Sequence, residues 1–147
     1  MMNYRHYDRN DILPCIETFM EVFNEEPWND GWTMERARQY LQDFTDTPGF
    51  VGVIAEDVSG AAGFIFGVRK RWWSADEFFI HEMCVRGTSQ QSGIGTGMLQ
   101  FLERELTASG VSNMTLLTNR NIPAESFYKR NGFNEIDRLV FMSKDLK

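Results

Sequence analysis

Residues 77–97 read Glu-Phe-Phe-Ile-His-Glu-Met-Cys-Val-Arg-Gly-Thr-Ser-Gln-Gln-Ser-Gly-Ile-Gly-Thr-Gly. Two elements meet in this segment. Residues 77–86 are rich in aromatic and apolar side chains and predict a long strand. Gln90 to Gly97 then forms a glycine-rich turn. From Gly93 onward, Ile94, Met98, Leu99, Leu102 and Leu106 recur at helical spacing until Gly110 ends the run. Closely spaced glycines let backbone N–H groups approach an anion, and a helix N-terminus adds a favourable dipole. The turn is therefore a candidate phosphate cradle.

Three descriptions of the glycines compete. A P-loop ends in Gly-Lys-Ser/Thr, which is missing here. A dinucleotide-binding fingerprint needs a glycine where Met98 stands, and it belongs on the first strand of its unit. A turn with no ligand is the third.

The flanking chain supplies the architecture. Residues 3–7 predict a short strand. Asp11 is placed to cap a helix carrying Ile12, Ile16, Phe19, Met20 and Phe23, with Pro14 in its first turn. Asn24 to Gly31 is a loop by composition. Thr33 starts a second helix whose stripe is Ala37, Tyr40, Leu41 and Phe44. Residues 50–56 and 61–69 predict a hairpin turning at Ser59-Gly60. After the central segment come a strand over 113–118, a helix over 121–130 stopped at Gly132, and a last strand over 138–144. The order is β-α-α-β-β-β-α-β-α-β. Three consecutive strands pair antiparallel, and the strand–helix–strand unit pairs parallel. The α/β (α+β mixed) class follows: one domain, residues 1–147, with a mixed, mostly antiparallel sheet flanked by helices on both faces.

Composition narrows the function. The chain has 147 residues, 42% of them hydrophobic and 24% charged, which excludes a disordered tail, a collagen-like repeat and a coiled coil. No apolar run approaches the length of a membrane span, and the first residues lack the apolar segment of a secretion signal, so no membrane partner is expected. Two cysteines, Cys15 and Cys84, make neither a disulfide framework nor a metal cluster, and a cytoplasmic setting is the expectation. The net charge is −6, and all of the excess lies in residues 1–49, which hold ten acids against four bases. With no basic stripe, nucleic acid is not the expected partner. A cationic partner fits better.

Downstream of the cradle stands Asn121-Ile-Pro-Ala-Glu-Ser-Phe127-Tyr128-Lys-Arg-Asn-Gly132-Phe133. Together with Gln90-x-x-Gly93-x-Gly95 after a strand ending Glu82-Met83-Cys84-Val85, this resembles the GNAT superfamily of acyl-CoA-dependent N-acetyltransferases. The likeness is sharp over residues 77–133 and topological before that. It implies acetyl-CoA as co-substrate, no metal, and a fold matching the element order above. It implies that the backbone of Met83, Cys84 and Val85 pairs with the pantetheine arm, with the Val85 N–H polarising the thioester carbonyl. Gln90, Gln91, Ser92, Gly93, Ile94, Gly95 and Thr96 would hold the pyrophosphate. Asn121 would touch the pantetheine region, and Tyr128 would face the sulfur. A homodimer is compatible with the family. One departure stands out: many members carry Arg or Lys in the loop, where this chain has Gln90, Gln91 and Ser92. Backbone donors and the helix dipole must then carry the contact, with Arg86, Lys129 and Arg130 as further basic residues that could supply charge.

The implied reaction is direct attack of an amine on the thioester. An aliphatic ammonium has a pKa of about 10.4 and must lose a proton first. Glu82, amid Phe78, Phe79, Ile80, Met83 and Val85, is the candidate base, because an apolar setting raises a carboxyl pKa. The next strand, Met114-Thr115-Leu116-Leu117, offers no carboxylate. His81 and water are the rivals for the base, and strand alternation sends His81 to the face opposite Glu82. Tyr128 is the candidate acid for the leaving thiolate. Each has a plain alternative: Glu82 as an ion-paired strand residue, Tyr128 as a core tyrosine, and Asn121 as a helix N-cap. Cys84 fits a small buried residue better than a nucleophile.

The resemblance implies that the N-terminal helices and their loop wall the acceptor site. That stretch holds Glu25, Glu26, Trp28, Asp30 and Trp32, with Glu25, Trp28 and Asp30 the foremost candidates. Carboxylates with aromatic faces suit an ammonium. The expected acceptor is a small cationic metabolite or an aminoglycoside-like amine. A protein or peptide amine is the alternative, and a non-catalytic acyl-CoA-binding sensor is the alternative of a different class.

Overall fold

The computed structural model describes residues 1–90 and 92–147. It divides into two compact units, Met1–Leu117 and Thr118–Lys147.

The first unit carries the sheet. Its elements are β1 (Asn3–His6), α1 (Ile12–Phe23), α2 (Met34–Thr45), β2 (Phe50–Asp57), β3 (Gly60–Arg71), β4 (Asp76–Val85), α3 (Ile94–Ala108) and β5 (Val111–Leu116). The strands lie in sequence order across the sheet. The first three pairings are antiparallel and β4 with β5 is parallel, as the connections require.

Strand alternation sorts the core onto two faces. Ile54, Phe64, Phe66 and Cys84 cluster with Cys15, Ile16, Phe19 and Val22 of α1 and Ala37 and Leu41 of α2. Their neighbours Val53, Ala55 and Ile65 are also fully buried and project the opposite way. A side chain at Gly63, which shares that second face, would press on Met98 of α3. The buried stripe of α3, Met98, Leu99, Leu102 and Leu106, therefore covers the face that α1 and α2 leave open.

Local signals explain the helix starts. Thr33 caps α2 through a bond from the Arg36 N–H to its Oγ1, 3.1 Å long. The start of α1 differs from expectation. Asp8, not Asp11, supplies the capping side chain, opening a 3-10 turn over Arg9–Asp11. The Asp11 carboxylate is committed elsewhere: it accepts from the Asp8 N–H at 2.7 Å and from both terminal nitrogens of Arg5 at 2.8 Å.

The second unit holds α4 (Pro123–Arg130), followed by Gly132 at φ +93°. The strand expected over 138–144 is not formed among the described residues. Leu139, Val140, Phe141 and Met142 are exposed there. Their composition favours a strand, but a strand exists only as paired backbone, and this segment has no ladder partner among the described residues. No helix among the described residues is long and apolar enough to cross a membrane.

Candidate active site

The site begins where β4 leaves its second partner. Pairing with β5 runs from Asp76 opposite Val111 to Ile80 opposite Leu116 and stops there among the described residues. Residues 82–85 continue with β3 on one side. The Arg86 N–H donates to Ala62 O at 2.8 Å. In an antiparallel ladder the facing edge alternates, so Met83 and Val85 direct their N–H and C=O groups toward the opposite edge. The Val85 carbonyl there accepts from Gln90 Nε2 at 3.0 Å.

A β-bulge interrupts β4 at this point. Phe66 lies opposite Glu82, but its neighbour Gly67 lies opposite Ile80, which leaves His81 as the extra residue. The bulge overturns the simple alternation expected for His81. Its ring stacks on Phe44 of α2 at 4.8 Å and tilts against Phe79 at 4.6 Å. Glu82 bonds the same helix through Tyr40. His81 and Glu82 thus both meet α2. Partial burial of the imidazole pushes its pKa below 6.5, so His81 is neutral at physiological pH.

Glu82 is the carboxyl of the site with a perturbed pKa. Burial raises its carboxyl pKa, the hydrogen bond from the Tyr40 hydroxyl opposes that rise, and the nearby charge of Asp30 adds to it, leaving a value of about 7. The Tyr40 hydroxyl donates to Glu82 Oε2. Around it runs a continuous set of rings. Trp28 packs on Phe23 at 5.0 Å, Phe23 on Phe19 at 5.0 Å, and Phe19 on Trp32 at 4.9 Å. Trp32 then meets Tyr40 at 5.1 Å, and Tyr40 meets Phe44 at 4.9 Å. Asp30 is exposed and steadied by Trp32, whose indole N–H donates to its Oδ2 at 3.1 Å. Of the expected acceptor residues, Asp30 and Trp28 join this assembly. Glu25 sits on the exposed turn after α1, where its carbonyl accepts from the N–H groups of Trp28 and Asn29.

Cys84 is buried and donates its thiol to Thr18 O at 3.7 Å. Burial first, and then the charge of Glu82, push its pKa well above 9, which removes the thiolate a nucleophile needs.

The glycine turn separates into distinct roles. A 3-10 turn covers Gly87–Ser89, and the Ser92 hydroxyl donates to Ser89 O at 2.5 Å. Gly93 adopts φ +85° at the start of α3, in a left-handed conformation that a β-carbon disfavours. Among the described residues no side chain caps α3, so the first-turn amides at Ile94, Gly95 and Thr96 have no such partner. An uncapped first turn behind a glycine with open space around it is what an anionic group requires, and the pyrophosphate of the coenzyme fits that donor set. Gly97 is different: a β-carbon there would collide with the Tyr4 ring. Gln91 lies outside the described residues. Of the basic residues that could add charge, Arg86 faces Asp57 at 4.0 Å, and Lys129, in the second unit, pairs with Glu125 at 3.1 Å.

In the second unit, Tyr128 is partly buried and packs edge-on against Phe127 at 5.3 Å and Phe133 at 5.6 Å. Asn121 has φ +65° and donates its N–H to Glu125 Oε1 at 2.7 Å. Ile122, not Asn121, occupies the N-cap of α4.

Tyr40 is the site residue that sequence reasoning missed. It appears there as one member of the α2 core stripe. The available signal was chemical, since a partly buried tyrosine hydroxyl needs a bonding partner.

Comparison with known proteins gives a consistent picture. A family model described as acetyltransferase (GNAT) family matches residues 16–133. No curated protein sequence matches the chain. Among solved structures, an aminoglycoside acetyltransferase from an uncultured soil metagenomic sample, in complex with sisomicin, superposes with a TM-score of 0.78 at 16% identity, over 99% of this chain and 97% of that one. The aminoglycoside N-acetyltransferase AAC(6')-Iy in complex with CoA gives 0.78 at 17% identity, over 98% and 95%. Glucosamine-6-phosphate N-acetyltransferase from Arabidopsis thaliana gives 0.73 at 14% identity, over 100% and 99%. At these identities the likeness is one of fold.

Proposed function

The chain belongs to the GNAT acetyltransferase family, and from that premise we propose that it moves an acetyl group from acetyl-CoA to the amine of a small cationic acceptor. The family match runs through both compact units, and we read residues 1–147 as one acetyltransferase domain.

The observation that carries this reading is the state of Glu82. A carboxyl with a pKa of about 7 is divided between its two protonation states at neutral pH. It can accept a proton there and release it again, as a general base must. An aliphatic ammonium needs that help, because less than about 0.1% of it is neutral at pH 7. Asp30, with Glu25 beside it in sequence, attracts the ammonium form, and Trp28 and the neighbouring rings offer π-faces to a cation. Glu82 then takes the proton as the amine attacks the thioester carbonyl. The Val85 N–H, directed toward the unpaired edge of β4, polarises that carbonyl. The family motif assigns Tyr128 the role of acid, protonating the departing thiolate.

Acetyl-CoA supplies the activated acyl group. Its pantetheine arm extends the sheet along Met83, Cys84 and Val85, and its pyrophosphate takes the first-turn amides of Ile94, Gly95 and Thr96; the family motif assigns Asn121 to the arm. The lack of a basic side chain in that turn favours a second reading, an acyl-CoA sensor with no turnover. A thiol-release assay over aminoglycosides, polyamines, amino-acid amines and peptides separates the readings. Turnover on small cationic amines is expected. Turnover on peptides alone would replace the acceptor, and binding of acetyl-CoA without turnover on any amine would favour the sensor.

A further inference from the structure

The Tyr40 ring lies among Phe19, Trp32 and Phe44, with centroids 5.6, 5.1 and 4.9 Å away. A phenol in such surroundings is costly unless its hydroxyl is bonded. The hydroxyl donates to Oε2 of Glu82, from a helix to a strand 42 residues away in sequence. We propose that Tyr40 is the positioning residue of the base: it fixes Oε2, so that the proton of the acceptor amine is taken by Oε1. The proposal rests on reading Glu82 as the base.

The direction of the effect follows from the groups around Glu82. Asp30, from the turn after α1, disfavours the carboxylate. On β4 itself stand His81, neutral at pH 7, and Cys84, protonated. From α1, Cys15 and Glu21 act on Cys84. On β3 the residue opposite is Phe66, which carries no charge. Tyr40 on α2 is the group in this set that donates to the carboxylate, and donation to an ionised form favours it. Without the hydroxyl, Glu82 holds its proton to higher pH and fewer molecules carry the base.

Tyr40→Phe removes the hydroxyl and keeps the ring. Two readouts apply to the whole protein. One is NMR titration of the Glu82 side-chain carbon in glutamate-labelled protein. The other is the pH profile of kcat/KM for thiol release from acetyl-CoA, using the most active amine of the panel. The expected result is a shift of both midpoints upward by about one pH unit, with turnover at pH 6 falling about tenfold and the KM for acetyl-CoA unchanged within about twofold. Midpoints that coincide with the wild type overturn the proposal. Glu82→Gln separates the two layers. If it keeps wild-type turnover, the assignment of the base fails; if it loses turnover while Tyr40→Phe behaves as wild type, only the positioning role fails. Should Tyr40→Phe not fold, the wild type carries the test. The ring carbon bearing the Tyr40 hydroxyl should titrate with the Glu82 midpoint and lose that titration in Glu82→Gln. A flat Tyr40 signal across that range overturns the proposal.

Discussion

The carboxylate of Asp30, on the turn after α1, acts on the carboxyl of Glu82, on β4: its charge raises the affinity of Glu82 for its proton. The two groups come from separate parts of the chain and converge beside the Trp32–Tyr40 ring pair. Asp30 thereby has two effects, attraction of a cationic acceptor and retention of a proton on the base.

Asp30→Asn tests both effects together. The acid limb of kcat/KM should move to lower pH, because Glu82 loses a repelling charge. The KM for a cationic amine should rise about fivefold, the scale of an exposed charge interaction. Steady-state kinetics from pH 5 to 9 measure both. An unchanged KM would remove Asp30 from the acceptor site.

Glu82→Gln should lower kcat by about 10²–10⁴-fold, the ordinary worth of a general base, while acetyl-CoA binding by calorimetry stays within about twofold. The same variant should flatten the pH dependence of stability. The carboxyl of Glu82 is raised from 4.5 to about 7 on folding, so the native state holds the extra proton. That contribution is full below pH 4.5 and is lost as pH rises through 7, at most about 3 kcal/mol. Urea midpoints at pH 5 and 8 should differ more for the wild type than for Glu82→Gln.

Asp11 has the opposite sign. Its hydrogen bond from Arg5, the largest influence, holds its carboxyl below the ordinary 3.8, so its contribution is present above that value and disappears as pH falls through the lowered one. Asp11→Asn should cost about 1–3 kcal/mol at pH 7, since Arg5 keeps Glu56 as a partner at 2.9 Å. The difference from wild type should shrink toward acid. Denaturant melts across pH 2–7 check it, and a cost that grows toward acid would refute the assignment.

Gly97→Ala should destabilise the protein although alanine is the better helix former. The new β-carbon would meet the Tyr4 ring, and overpacking of this kind costs about 1–3 kcal/mol. In a Tyr4→Ala background the obstacle is gone, and the same change should stabilise by about 1 kcal/mol. A double-mutant cycle reads the reversal of sign. Equal effects in both backgrounds would place the reason for glycine elsewhere.

Local periodicity made much of the fold legible. The stripe of α3, the stripe of α2 with its Thr33 cap, and the β2–β3 hairpin are each specified by residues within a few positions of one another. Glycines at 93, 110 and 132 mark conformations with positive φ, at 85°, 92° and 93°. The raised pKa of Glu82 was legible for the same reason, since its apolar neighbours on the strand already implied it.

The remaining features depend on partners that are distant in sequence. Alternation sends His81 away from Glu82, and one extra residue opposite Gly67 brings both to α2. Tyr40 looks like any core position of an amphipathic helix until its hydroxyl finds a carboxylate on β4. Gly97 belongs to the same run as Gly93, yet Tyr4 on β1 gives it a different reason to be glycine. Residues 138–144 have the composition of a strand and form no ladder among the described residues. The physical cause is shared. Side-chain order along the chain sets helical and strand periodicity and burial of one face, because those depend on near neighbours. Ladder partners, bulges, hydrogen bonds between elements and steric fit arise only when segments far apart in the chain come into contact.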